Sequence, residues 1–537
     1  MSPHPATTLF TQTRANPPKM FKFDEKSTVF FAWQFLPVAS AVCLGFLWST
    51  VDVTARRLEP FYQLSLPNGA PACASISEDY MSCWIFLLPF KAAKQKHWAV
   101  VVSSTIRICV ETVLPALQGG MWKITWKYEE GEYIGVVQQM NIAVIFSAVA
   151  VNAVVIILAT LEGIVCQRKS GLISDPGGIT ALASLICNSP RLLHLLRTIP
   201  SYSSQHNIDV YLQPFRFKLQ YLTCTRGDST GLKEAYQIVP IVDEGVMGGS
   251  PGKLKQFKFN RQEAHPISLR GWSTIAVWVI LMIPNTLIRV AATNPSNWST
   301  WTMKGLLVFG CTLTISFSEL QERDLRLMEA YYQAQDSTVG LGLSRERDEF
   351  LSQVPLVSFF SFLHKRATIL AFISFYNFIL QILIIINPTL DEITWDLNTM
   401  YGSDVIHKIP EVFLSWYKVL LYLIYPLVFL HLSLYISMAL NRRKPILPRK
   451  PNTISSNLVY LCNSIDLLED VRDFLTWLPD RRYDFGWVIL GEQAAVGFAR
   501  REKKSCESFV YGELYQPDKQ RKKIQKAVPI RRRKLRE

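Results

Sequence analysis

Pro176-Gly177-Gly178-Ile179, followed by Cys187-Asn188-Ser189 and Leu192-Leu193, returns later as Pro451-Asn452-Thr453-Ile454, Cys462-Asn463-Ser464 and Leu467-Leu468. Every match lies at one offset of 275 residues, and each copy directly follows a long apolar segment. A second echo lies upstream. Leu58-Glu59-Pro60-Phe61-Tyr62-Gln63 follows a first apolar run, and Met328-Glu329-Ala330-Tyr331-Tyr332-Gln333 follows a fifth at an offset of 270. Self-similarity at a long, nearly constant period marks a duplicated unit. Four crossings separate equivalent points, so the two copies run parallel.

Of the 537 residues 49% are hydrophobic and only 19% charged, against about a quarter charged in an average soluble domain. The charges are clustered. Between the clusters lie seven apolar runs of spanning length, at about 29–51, 97–117, 140–163, 271–291, 303–320, 367–386 and 416–438. Thr368 to Ile386 contains no charge, whereas 97–117 carries Arg107 and Glu111. Soluble cores rarely produce so many runs of this length. The fold expected is therefore an all-α polytopic membrane protein, about seven transmembrane helices in a duplicated unit, with two small α+β cytoplasmic modules. No cleavable signal peptide is read, because the first apolar run is long and lacks a small-residue cleavage site.

The domain plan follows: an N-terminal tail (1–28), a first membrane unit (29–163), a first cytoplasmic module (164–270), a second membrane unit (271–438), a second module (439–500) and a basic C-terminal tail (501–537), disordered by composition. Lys and Arg set the orientation. Segments 52–96, 164–270, 321–366 and 439–537 hold 5, 13, 6 and 22 of them, and the alternate segments 118–139, 292–302 and 387–415 hold 2, 0 and 1. The basic segments are assigned to the cytoplasm, the C-terminus with them. The sequon Asn297-Trp298-Ser299 then falls outside, a candidate glycosylation site. All ten Cys avoid the outer loops, as reduced thiols do. Seven spans ending inside put the N-terminus outside, against the four basic residues of 1–28.

Each module reads as helix, helix, hairpin. Asp175 is an N-cap with Pro176 opening a helix, and Ile179, Leu182, Leu185 and Ile186 give it one apolar face. Pro190 separates a second helix, Leu192–Ile199. Alternation in Phe215–Leu222 and Ala235–Val242 predicts paired strands, as does Phe485–Leu490 with Ala494–Ala499. Segments 201–207, 244–256 and 335–348 read as linkers.

Arg107 and Glu111, at i and i+4, share one helix face. An unpaired charge at mid-bilayer costs about 2.5–3.5 kcal/mol or more. The pair is thus either a structural lock on its span or part of a polar path. Asn141, Asn152, Asn377 and His431 complete the candidate intramembrane polar site, with interhelical hydrogen bonding as their usual role. Pro37, Pro284 and Pro426 predict kinks. Gly248–Leu254 imitates a phosphate loop but lacks Ser or Thr after Lys253. Arg226-Gly227-Asp228 is a turn. No Cys pair, nucleophile elbow or clustered His appears, so no catalytic residue, metal or cofactor is expected.

Leu47-Trp48-Ser49-Thr50-Val51-Asp52, then Arg57-Leu58-Glu59-Pro60-Phe61-Tyr62-Gln63-Leu64, resemble the hallmark of a fungal multi-pass membrane family, domain of unknown function 3433, or Spray-like. Ser174-Asp175-Pro176, Leu182-Ala183-Ser184-Leu185 and Asp484-Phe485-Gly486-Trp487 are similar to it too, so that the resemblance covers most of 28–500. It implies a duplicated unit, commonly with four spans per copy, where this chain shows three in the first. It implies no activity. The expected partners are the lipid bilayer, anionic lipids at the basic tail and cytoplasmic proteins, with no nucleic acid. The membrane is the plasma membrane or an endomembrane. Few polar groups inside the spans, and nearly half the chain in the cytoplasm, point to a non-enzymatic scaffold or regulatory protein. A transporter or channel with a polar site at Arg107/Glu111 is the alternative.

Overall fold

The computed structural model describes residues 21–23, 28–129, 132–168, 170, 172, 176–225, 232–241, 264, 266–269, 300–335, 341–342, 355–365, 367–382, 446–473, 481–490, 493–503 and 506–509. Within them three helices are long and apolar enough to cross a membrane: Leu36–Ser65, Trp98–Gly119 and Ile142–Cys166. They take up the runs expected at 29–51, 97–117 and 140–163. The run at 303–320 lies in the helix Thr300–Gln335. The run at 367–386 is represented by Thr368–Ile382, shorter than a span. The runs at 271–291 and 416–438, with Pro284, Asn297, Pro426 and His431, lie outside the described residues.

Strand β1 (Phe21–Phe23) precedes α1 (Thr28–Ser65), whose 38 residues extend about 57 Å at 1.5 Å each. That is nearly twice the roughly 30 Å of a hydrocarbon core. The helix runs through Pro37 and Pro60, so the Arg-rich sequence after the apolar run continues the same rod into the polar half of the molecule. Gly69 then turns the chain at φ +59°, its Cα side against the Phe217 carbonyl, where any Cβ would clash. Edge strand β2 (Ala70–Pro71) follows.

Helix α2 (Leu88–Lys94) leads to α3 (Trp98–Ile108), one π turn (Cys109–Val113) and α4 (Leu114–Gly119). The segment expected as an outer loop, 118–139, forms instead the hairpin β3 (Trp122–Glu129) and β4 (Glu132–Met140), with β1 paired to β4. Trp122, Ile124, Trp126 and Tyr128 alternate with Lys123, Thr125 and Lys127, a strand period. Helix α5 (Ile142–Cys166) buries only Ala148, Val155 and Glu162, a seam of every seventh residue. Ile142, Phe146, Val149, Val154, Ile156, Ile157, Leu161 and Ile164 around it stay exposed, as lipid-facing side chains do.

The first module contains α6 (Ile179–Ser184), α7 (Pro190–Arg197), α8 (Gln205–Leu212), β5 (Arg216–Thr225) and β6 (Leu232–Ile241). The next helices are α9 (Thr300–Gln335), α10 (Pro355–His364) and α11 (Thr368–Ile382), with β7 (Leu341–Gly342) between α9 and α10. The second module contains α12 (Ile454–Leu461), α13 (Ile465–Asp473), β8 (Arg482–Leu490), β9 (Gln493–Arg500) and β10 (Cys506–Ser508). Both hairpins expected from alternation form, and both gain an edge strand that follows a long helix. Ala70 pairs Phe217 after α1, and Leu341 pairs Tyr483 after α9.

Two local expectations change. Asp175 lies outside the described residues, and α6 starts at Ile179 with Gly178 as its N-cap. In the later copy Thr453 caps α12 by accepting from the Ser456 amide. Segment 201–207 is no linker. Ser204 caps α8 through the Asn207 amide, 3.2 Å away. The Ser201 and Ser203 carbonyls accept from Arg449 Nη1 at 2.7 and 3.0 Å. Arg449 is wholly buried, its Nε and Nη2 donate to Ser456, and its guanidinium lies over the Tyr460 ring. Burial pushes its pKa down, but its donors are engaged with carbonyl and hydroxyl oxygens.

The two modules share one hydrophobic core. Phe61 and Leu64 at the end of α1, Met328 and Tyr331 in α9, and Leu192, Phe217, Leu461 and Phe485 from the modules belong to the same buried cluster. Tyr331 packs edge-on against Tyr460 and Phe485. A reciprocal clasp joins the modules: Arg197 Nε donates to the Cys462 carbonyl at 3.0 Å, and Arg472 Nη2 donates to the Cys187 carbonyl at 2.6 Å. Both the arginines and the cysteines stand 275 residues apart.

Candidate functional site

Arg107 and Glu111 meet as their spacing requires, with Nε to Oε1 at 2.7 Å. They do not stand alone. Arg107 Nη1 reaches Asp52 of α1 at 3.1 Å, and Nη2 pairs with Glu319 of α9. Asp52 is also paired with Arg56 one turn on, and accepts from Ser103 Oγ at 3.3 Å. Gln381 of α11 donates to Glu319 at 2.7 Å. One guanidinium therefore ties three carboxylates from three helices. Asp52 lies just past the apolar run 29–51 and Glu319 at the end of 303–320, where the greasy parts of both helices stop.

Local structure brings Glu111 into this knot. It sits in the π turn, which inserts an extra residue per turn and re-aims the side chains of its helix. Gly45 of α1 faces it: a Cβ there would lie 3.3 Å from Glu111 Cγ, so a side chain at 45 would push the helices apart. Beside them is a cavity of about 30 Å³ lined by Glu111, Glu319 and Gln381 among apolar residues such as Ile108 and Ile315. This is room for about two waters.

A second knot stands beside the first. Glu322 and Arg326 pair at i,i+4 on α9. Ser374 and Asn377 of α11 donate to Glu322 at 2.5 Å each. Asn377 also accepts from Ser318, and Arg326 Nη2 donates to Ser358 of α10 at 3.0 Å. Position by position, Asp52, Arg56, Arg107 and Glu111 correspond to Glu322, Arg326, Asn377 and Gln381 at the 270 offset.

The other candidates lie elsewhere. Asn141 is the N-cap of α5, accepting from the Val144 amide at 3.4 Å. Asn152 donates to the Ala148 carbonyl of its own helix at 2.9 Å. Neither joins a knot. Asp52, Arg56, Glu319, Glu322 and Gln381 were not read as site residues. Their signal was present: an acid-x-x-x-Arg pair at the end of each of two apolar runs, repeated at the offset that Leu58–Gln63 had already shown. Among the described residues no group of His, Cys, Asp and Glu could hold a metal ion.

Residues 31–123 match the family model described as protein of unknown function (DUF3433). Neither a curated protein nor a solved structure matches the chain. The matched stretch runs from the first turn of α1 through α4 and holds Asp52, Arg56, Arg107 and Glu111, the ionic knot without its α9 partner. Over this stretch the chain is similar to DUF3433, a family of proteins of unknown function.

Proposed function

We propose that the chain is a polytopic membrane scaffold, built from a duplicated unit with about seven spans, that holds a two-module platform on the cytoplasmic side. The observation that carries this reading is the closure of the ionic knot. Arg107 is consumed by Asp52, Glu111 and Glu319, and the space beside it is about 30 Å³. Burial on these terms fixes helices against one another, because removing any partner strands a desolvated charge. The platform is correspondingly firm, with one core and a reciprocal arginine clasp. The equal offsets of the clasp support the duplication. The Lys and Arg excess supports the cytoplasmic placement of the modules and the C-terminus. Strand β1 paired to β4, at the opposite ends of α1 and α5 from the modules, supports an N-terminus on the outer side.

A second reading is transport, favoured by the π turn at Glu111 beside Glu319 and Gln381. The two separate in one experiment on the full chain. The platform exposes Val210 and Ile489. Cross-linking in native membranes should recover cytosolic partners that survive Arg107→Asn/Glu111→Gln and are lost with Val210→Glu/Ile489→Glu. A partner set unchanged by the platform variant, together with ion flux in liposomes, refutes the scaffold reading.

A further inference from the structure

A cavity of about 110 Å³ lies where the long helices α1 and α9 enter the platform. One turn of each helix faces it, Arg56 to Phe61 on one side and Arg326 to Tyr331 on the other, and both Pro-x-x-Ile motifs close it, at 176–179 and 451–454. The repeated Pro-x-x-Ile sequences thus border a single space.

The lining is cationic. Arg56, Arg57 and Arg326 all line the cavity, Arg326 with its guanidinium already paired with Glu322; the one acidic residue of the lining, Glu78, is paired with Lys91 at 2.7 Å. Arg56 is 1% exposed. Asp52 pairs with its Nη2, while its Nε and Nη1 find no hydrogen-bond acceptor among the described residues. A buried guanidinium with idle donors is costly, and an anion offering several acceptor oxygens relieves it. Gly177 and Gly178 contribute no side chain, which keeps the space open, and Asn452, Thr453 and Asn457 add neutral polar groups. The volume suits a group the size of a few waters. Phosphate, tetrahedral and matched to the guanidinium fork, has that size and chemistry.

We propose that this cavity is a phosphate-binding site, formed jointly by the two halves of the chain. The position of Arg56 just beyond the apolar run 29–51 places it at headgroup depth, so the phosphate can come from an anionic lipid or from solution. The cavity does not depend on the scaffold reading; a lipid source rests on the membrane placement proposed above.

The test uses the full chain in dodecyl maltoside, with melting temperature and native mass spectrometry as readouts. The probes are dioctanoyl phosphatidic acid, inorganic phosphate and, as the phosphate-free control, dioctanoylglycerol. Arg57→Gln removes a lining cation, and Ala330→Leu fills the space without changing charge; Arg56 is left alone because Asp52 needs it. The expected result is one saturable adduct with phosphatidic acid, a raised melting temperature, at least tenfold weaker binding in both variants and no effect of dioctanoylglycerol. A matching rise with inorganic phosphate assigns a soluble source, and its absence assigns the lipid. Failure of both phosphate probes to bind, or wild-type affinity in both variants, overturns the site.

Discussion

In the first half of the chain Arg107, paired with Glu111, meets the pair Asp52–Arg56; 270 residues on, Asn377 meets the pair Glu322–Arg326, while Gln381 turns to Glu319. The carboxylate–arginine pair on the long helix is the same. The group that meets it from the next helix is ionic in one half and an amide in the other. An amide satisfies a buried carboxylate without adding a charge to desolvate. The ionic version reaches further: Arg107 spans 212 residues to Glu319 and binds the first half to the second. Glu319 also accepts from Gln381, so it joins the elements of both knots. One half fastens itself; the other fastens the two together.

The sharpest way to break that comparison is to truncate both positions. Arg107→Ala leaves Asp52, Glu111 and Glu319 without their shared cation and should cost about 3–5 kcal/mol, the range for removing one partner of a buried pair. Asn377→Ala should cost about 1–3 kcal/mol, the desolvation of a carboxylate that keeps Arg326 and Ser374. Thermal unfolding of the full chain in detergent measures both, and equal losses would dissolve the distinction.

Copying the second solution into the first sharpens it. Arg107→Asn and Glu111→Gln together should cost less than the two single changes added, by about 1–3 kcal/mol, since Arg107→Asn alone leaves the Glu111 carboxylate without its cation and Glu111→Gln removes that charge. Strict additivity would mean that Arg107 and Glu111 do not act as a unit.

The clasp gives the smaller effect. Arg197→Ala and Arg472→Ala each lose one half-exposed bond to a carbonyl and should each cost about 1 kcal/mol. The prediction lies in their equality; a loss confined to one arginine contradicts reciprocal docking. Smallest of all is a reactivity difference. Burial pushes the Cys462 thiol up to about 12, against the pull of Arg197 and Arg449. Cys73 is exposed. Maleimide at neutral pH should label Cys73 and spare Cys462 until the protein is unfolded; prompt labelling of both would show that the shared core is open.

Much of this was legible in the residues. Apolar runs of spanning length announced α1, the α3–α4 helix and α5. The period of two announced β5, β6, β8 and β9, and the i,i+4 spacing announced the Arg107–Glu111 pair. What escaped is non-local or was read through the wrong property. Asp52 lies 55 residues from Arg107 and Glu319 lies 212 away, and no spacing rule connects them. The hairpin at 122–140 was weighed by its charge as a loop, although Trp122 to Tyr128 alternate. Ser201 and Ser203 have linker composition, yet their carbonyls bind Arg449, whose burial no local pattern signals. The continuation of α1 past Asp52 carries no apolar run, so hydropathy alone does not signal it.

The account stands on the ionic knot being a fastening and not a passage. The direct measurement is to carry wild type and Arg107→Asn/Glu111→Gln through two readouts on one preparation, melting temperature in detergent and proton flux in liposomes. The account predicts a lowered melting temperature and no flux from either protein. An unchanged melting temperature, with flux present in the wild type and lost in the variant, contradicts it.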